Sequence, residues 1–334
     1  MGKGIIEVGV NQTYQFLILL HDDAFGYIRH IVQFVFYLFR VDILTARTKE
    51  HVLAASLDAY VAFGIHQGKV SGVQAASQAS AGGIANLNMV SDGEAQVSIA
   101  ISSNVYQCLN GTDSFKDHPY KDLKAIAGLY MNPNQVVVTA KSGIQTLADV
   151  KGKRFAVASA GSSVYNESNA HFTAAGLKFP DDIQAEYITF TDAADMLQNG
   201  SIDGAWIMSG APASAVTQAL TGGARLVDID DQLVKDLKAK YPWYASYTIK
   251  AGTYPNQDRD VRTTAVKMVM FTRGDMPEDV VYNLTKALWE HIDEMGQAQK
   301  NLKGLKPEDA VKDIAGVPLH PGAERYYREI GVLK

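Results

Sequence analysis

The sequence predicts an α/β protein of two lobes, and three observations carry that expectation. From about Val70 onward, short β-branched runs alternate with helical stretches. Gly and Pro punctuate the boundaries between them. Residues 88–100 and 195–207 also share one plan: a helix end, a Gly stop at Gly93 or Gly200, and an apolar strand leading to small polar residues. The 334 residues, 47% hydrophobic and 20% charged, suffice for two domains with a core each.

In chain order, the expected strands are 97–101, 125–130, 135–140, 154–158, 185–189, 205–208, 224–227 and 265–272. The expected helices are 83–92, 147–150, 164–175, 192–199, 213–220, 231–241, 277–297 and 322–330. The segment 277–297 opens on Pro277-Glu278-Asp279 and carries Val280, Val281, Leu284, Leu288 and Ile292 at helical spacing. Its role is packing.

Charge and cysteine usage narrow the function classes. Net charge is −5, and no stripe of Lys and Arg interleaved with aromatics could neutralise phosphates, so nucleic acid is not an expected partner. Cys108 is single, which rules out an internal disulfide and fits a small buried apolar residue.

Catalytic and metal patterns are absent. There is no Gly-x-Ser-x-Gly elbow, no His-Glu-x-x-His, no Cys-x-x-Cys and no phosphate-binding glycine fingerprint with its lysine. The eight histidines have no metal-ligand spacing to one another. The chain is therefore expected to be no enzyme and to need no cofactor or metal.

The sharpest local signal is Arg154-Phe155-Ala156-Val157-Ala158-Ser159-Ala160-Gly161-Ser162-Ser163, a strand running into small residues and then a helix. Backbone N–H groups and the helix dipole at such a start attract a carboxylate or phosphate, and Ser162 or Ser163 can both cap the helix and donate to an anion. An ordinary capped helix is the plain alternative. The echoing segments deliver Ser102 and Ser103, and Ser209 and Gly210, to the carboxyl ends of their strands, where open α/β sheets bind ligands.

From about Val70 to the C-terminus the chain resembles the TAXI family, the solute-receptor subunits of TRAP transporters. The resemblance rests on Gln78-Ala79-Ser80-Ala81-Gly82-Gly83-Ile84-Ala85-Asn86-Leu87, on Asn110-Gly111-Thr112, and on Lys151-Gly152-Lys153-Arg154 before Gly161-Ser162. It rests further on Ala251-Gly252-Thr253-Tyr254-Pro255-Asn256-Gln257-Asp258-Arg259-Asp260-Val261 and on His320-Pro321-Gly322-Ala323-Glu324-Arg325-Tyr326-Tyr327. The resemblance implies a two-lobed type II periplasmic-binding-protein-like fold with a hinge and an interlobe cleft. Lobe 1 would comprise 70–138 with 252–334, and lobe 2 would comprise 139–251.

It also implies a monomeric periplasmic or extracytoplasmic receptor. Its ligand would be a small anionic solute, glutamate-like or a dicarboxylate, and its partner the TRAP membrane permease subunits. The implied cleft residues are Ser102, Ser103, Gly161, Ser162, Ser163, Ser209 and Gly210. A ligand-sensing or surface-antigen protein on the same fold, without a transport role, is the alternative.

Departures accompany the matches. Ser103 stands where the family has an aspartate, and Tyr165 where it has a glutamate. The first 69 residues are anomalous: Phe16-Leu17-Ile18-Leu19-Leu20 is short for an export signal and ends at His21-Asp22-Asp23. Residues 27–46 carry Arg29, His30, Arg40 and Asp42, which suits a buried or interfacial helix better than a membrane span. The family's Gly-rich first loop is replaced by stretches such as Tyr60-Val61-Ala62-Phe63-Gly64. Two explanations stand open: a shifted reading frame over this segment, or a first lobe lacking its usual first strand and cleft loop.

Overall fold

Ten strands form a mixed sheet whose two halves share one long strand. The computed structural model describes residues 51–56, 73–78, 80, 82–116 and 118–334. In the first half, β1 (His51–Ser56) lies between β2 (Val73–Gln78) and β3 (Val97–Ile101), all parallel. Next to β3 comes β10 (Val261–Arg273), antiparallel, and then β4 (Leu123–Val138).

At Asn134 strand β4 changes partners. Residues 134–138 pair with β7 (Gly204–Met208), and residues 136–138 also pair with β8 (Arg225–Val227). Beyond β7 lie β5 (Arg154–Ala156) and β6 (Gln184–Glu186), both parallel to their neighbours. Strand β9 (Ala245–Ile249) pairs with residues 261–265 of β10. Both β4 and β10 thus cross from one half to the other, giving the two-lobed periplasmic-binding-protein type of fold.

Helices cover both faces, as a largely buried sheet requires. In the first half, α1 (Gly83–Ser91) and α2 (Ser102–Asn110) enclose Leu87, Val105, Cys108 and Phe271. Opposite them, α7 (Glu278–Glu290), α8 (Ile292–Ala298) and α9 (Pro321–Glu329) bury Leu284, Trp289, Met295 and Tyr327. The Trp289 indole donates to the Tyr327 hydroxyl (3.0 Å), which donates to the Ile126 carbonyl (3.1 Å), so the helix layer is keyed to β4.

In the second half, α4 (Phe190–Asn199) and α5 (Ser214–Thr221) bury Leu197, Val216 and Leu220. Across the sheet, α3 (Ser163–Ala174) and α6 (Asp231–Lys240) bury Phe155, Phe172, Trp206 and Val234. Each fully buried Leu or Phe contributes about 1.5–3 kcal/mol.

The echo between segments is real. Gly93 (φ 80°) and Gly200 (φ 77°) end α1 and α4 in left-handed conformations before β3 and β7. Among the described residues no helix is long and apolar enough to cross a membrane.

Several expectations shift. Strands expected at 125–130 and 135–140 are one strand, because Pro133, which lacks an N–H, falls where β4 trades β10 for β7. The helix expected at 277–297 is interrupted at His291 (φ −117°), and Ile292 and Met295 then return to the same core. Helix α2 and strands β1, β2 and β9 were not expected. Strand β1 falls within the 1–69 segment that the sequence marks as anomalous. The expectations placed on residues 1–50 and on Tyr60 to Gly64 lie outside the described residues.

Gly204 packs its Cα against the Phe155 ring, and a Cβ there would come within 2.3 Å of the ring. Gly204→Ala should therefore destabilise the protein by about 1–3 kcal/mol, read as a lower urea midpoint. An unchanged midpoint would mean that the β5–β7 contact yields more easily than its packing implies.

Candidate functional site

The polar residues expected at strand ends collect where the two halves meet. Strand β3 ends at Ile101, and α2 begins at once with Ser102, whose preceding residue offers no side-chain cap. In the other half, Gly161 (φ 74°) turns the chain and Ser162 caps α3 by accepting from the Tyr165 N–H (3.1 Å).

Two hydrogen bonds join the helix starts. The Ser163 hydroxyl donates to Asn104 Oδ1 (2.6 Å), and the Ser103 hydroxyl donates to Glu167 Oε1 (2.8 Å). The start of α1 faces the same place, since a Cβ on Gly83 would lie 3.1 Å from Asn104 Oδ1. No side chain among the described residues caps α1 or α2, so their first-turn N–H groups lack a side-chain acceptor.

The other expected residues have distinct settings. Ser102 is fully buried: its hydroxyl donates to the Trp243 carbonyl (3.2 Å) and accepts from the Lys267 N–H (3.1 Å). The Ser209 carbonyl accepts from Gln135 Nε2 (3.0 Å). Gly210 abuts Asn301, whose side chain a Cβ would meet at 2.7 Å. Gly161 is exposed, with open space around its Cα. Ser103, Ser162 and Ser163 are thus gathered at the junction of α2 and α3, while Ser209 and Gly210 hold separate contacts after β7.

The sequence reading missed the middle of this site. Along one face of α3, Ser163, Glu167 and His171 recur at four-residue spacing and run from Asn104 to the crossing strands. Glu167 is buried, and among the described residues no group lies within hydrogen-bonding geometry of its Oε2. Burial pushes its carboxyl up to about 7, against weaker opposing help from nearby Tyr244, Ser103 and Asn134.

His171 is buried one turn further on, and burial pushes it down to about 4. Its Nδ1 faces the Glu167 carbonyl (2.7 Å), so Nδ1 carries the proton and Nε2 accepts from the Thr264 hydroxyl (2.7 Å). Thr264 in turn accepts from Asn134 Nδ2 (3.0 Å), and Asn134 Oδ1 accepts from the Trp206 indole (3.1 Å). A directed chain therefore links β7, β4, β10 and α3. The four-residue spacing of Glu167 and His171 was the available signal. Tyr165, where the resembled family has glutamate, instead packs on Phe179 (ring centroids 5.1 Å).

Cys108 is buried, and burial pushes its thiol up to about 11, as suits an inert core residue. Among the described residues no group of three His, Cys, Asp or Glu could hold a metal ion.

This two-lobed arrangement, with polar helix starts facing one another beside crossing strands, defines the class of protein. Residues 60–331 match the NMT1-like family, and the chain belongs to it. Among solved structures it is similar to a protein of Bordetella bronchiseptica RB50: identity is 16%, coverage 84% of this chain and 98% of that one, and the TM-score 0.51. It is also similar to the periplasmic aliphatic sulphonate binding protein SsuA of Escherichia coli (17% identity, 84% and 83% covered, TM-score 0.46). A third is the alkanesulfonate-binding protein SsuA of Xanthomonas axonopodis pv. citri bound to MOPS (16%, 85% and 85%, TM-score 0.45). At these identities the likenesses concern the fold.

The pH dependence of stability separates the two buried groups. Glu167 has a raised folded-state pKa, so its contribution is full below about pH 4.5 and is lost as pH rises toward 7. His171 has a depressed one, so its contribution is present above about pH 6.5 and is lost as pH falls toward 4. Glu167→Gln removes only the first. Its stability relative to the parent should climb between about pH 4.5 and 7, by on the order of 3 kcal/mol. Urea midpoints of both proteins across that range provide the check, and parallel curves would refute the assignment.

Proposed function

We propose that the protein is an extracytoplasmic solute receptor that closes its lobes on a small carboxylate and hands it to a membrane permease. The supporting observation is that two helix starts from opposite halves meet through Ser103–Glu167 and Ser163–Asn104. An anion entering there would take the place of these contacts. It would find the N–H groups and positive dipole ends of α1, α2 and α3, with the serine hydroxyls as further donors.

The lobes would comprise 70–138 with 252–334, and 139–251, with β4 and β10 as the hinge. Ser102, Ser103, Gly161, Ser162, Ser163, Ser209 and Gly210 would line or support the cleft. The resemblance to TAXI receptors favours TRAP-type permease subunits as the partner, a periplasmic location, and a glutamate-like or dicarboxylate ligand. Delivery needs no bond to be made or broken, so the site acts by binding alone.

Calorimetric titration with glutamate, succinate, 2-oxoglutarate and ethanesulfonate at slightly acid pH should give saturable binding to one of them. At a hundredfold excess over Kd that ligand should add about 3 kcal/mol of stability, visible as a raised Tm. Ser103→Ala and Ser163→Ala should each weaken binding by about tenfold, the cost of one charge-assisted donor. If none of the four anions binds, the receptor reading fails; if a sulfonate alone binds, the carboxylate assignment does.

A further inference from the structure

Two buried side-chain atoms among the described residues have no hydrogen-bond partner, Glu167 Oε2 and Trp243 Nε1. Both lie within reach of the Tyr244 hydroxyl, although neither makes a well-aligned hydrogen bond with it. Trp243 sits between α6 and β9, its ring tilted against Tyr106 of α2 (ring centroids 5.0 Å, 52° between planes), so it too stands where the halves meet.

Among the described residues, the groups packed around Glu167 include no cation. They are Ser103 from α2, Asn134 from β4, Tyr244 with Tyr241 beyond it, and His171 on its own helix, held neutral by burial. A carboxylate in that setting would be an unpaired buried charge, whereas a carboxylic acid is tolerated. Before an anion enters, Oε1 accepts from Ser103, so the acid proton sits on Oε2. Glu167 Oε2–H and Trp243 Nε1–H are then both buried donors without a well-aligned acceptor among the described residues. Paired buried donors without acceptors complement an oxygen-rich anion.

We propose that protonated Glu167 and the Trp243 indole are the deepest donors of the anion site, so that the protein captures an oxyanion together with one proton. The inference rests on the receptor reading above and adds to it how capture depends on pH. Without an anion the Glu167 carboxyl, pushed up to about 7 by burial, is largely ionised at about pH 8. Closure onto an anion forces it neutral, since the alternative is two negative charges in contact. The proton comes from solvent, remains on Oε2 and is returned when the halves part.

The test is titration of the wild-type protein with ethanesulfonate and 2-oxoglutarate between about pH 6 and 8.5, where neither anion changes charge. Affinity for whichever binds should fall with rising pH, by as much as tenfold per unit. Calorimetry at about pH 8 in two buffers of different ionisation enthalpy should show close to one proton taken up per anion bound. Glu167→Gln carries a donor at every pH, so its affinity should be flat over this range.

A flat wild-type affinity with no proton uptake overturns this inference and leaves the receptor reading standing. Failure of both anions to bind even at about pH 6 overturns both. Should Glu167→Gln fail to fold, proton uptake by the wild-type protein decides alone. Trp243→Phe, which keeps the ring and removes the donor, should weaken binding several-fold without altering the pH slope, and an unaltered affinity would remove Trp243 from the donor set.

Discussion

Strands β4 and β10 run antiparallel through both halves of the sheet, and the polar groups around their crossing are tied to one another because water is excluded there. A buried amide or hydroxyl left unpaired costs about 1–3 kcal/mol, so Asn134, Thr264, Trp206 and His171 each need a partner. They find one in each other, in a chain whose direction is set by the Glu167 carbonyl. That chain fixes α3 against the crossing strands, and α3 in turn presents Ser163 and Glu167 to the first half.

Two turns of α3 serve opposite ends. His171 is held neutral with both ring nitrogens partnered, which makes it a structural anchor. One turn earlier, Glu167 keeps one oxygen, and Trp243 its N–H, without a well-aligned partner among the described residues, although both are buried. Unsatisfied groups are tolerated where function requires them, and their placement at the meeting of α2, α3 and the segment before β9 marks that place.

The site unites residues that no local pattern joins. Ser103 and Glu167 are far apart in the chain and meet because β3 and β5 run in opposite directions, each ending toward the other half. Glu167 read alone is an ordinary helical carboxylate, and its four-residue spacing to His171 is common on solvated helix faces. Helix α2 was illegible for a related reason: Ser-Ser-Asn is a weak helix start, and its buried face of Ser103, Val105 and Cys108 overrides propensity only within the packed core. Pro133 misled in the opposite direction, because it breaks a ladder locally while the strand continues with a new partner.

What the amino-acid sequence determined by itself was the alternation of strands and helices, the Gly stops at Gly93 and Gly200, and the small-residue turn that starts α3. These are properties of single segments, set by backbone sterics and side-chain periodicity. The tertiary structure alone decided that β4 is one strand shared by both halves, that Ser102 is buried as a bracket for Trp243 and Lys267, and that Ser103 faces Glu167. Those outcomes depend on which distant groups are pressed together in the absence of water, and desolvation is a property of the assembled core rather than of any stretch of chain.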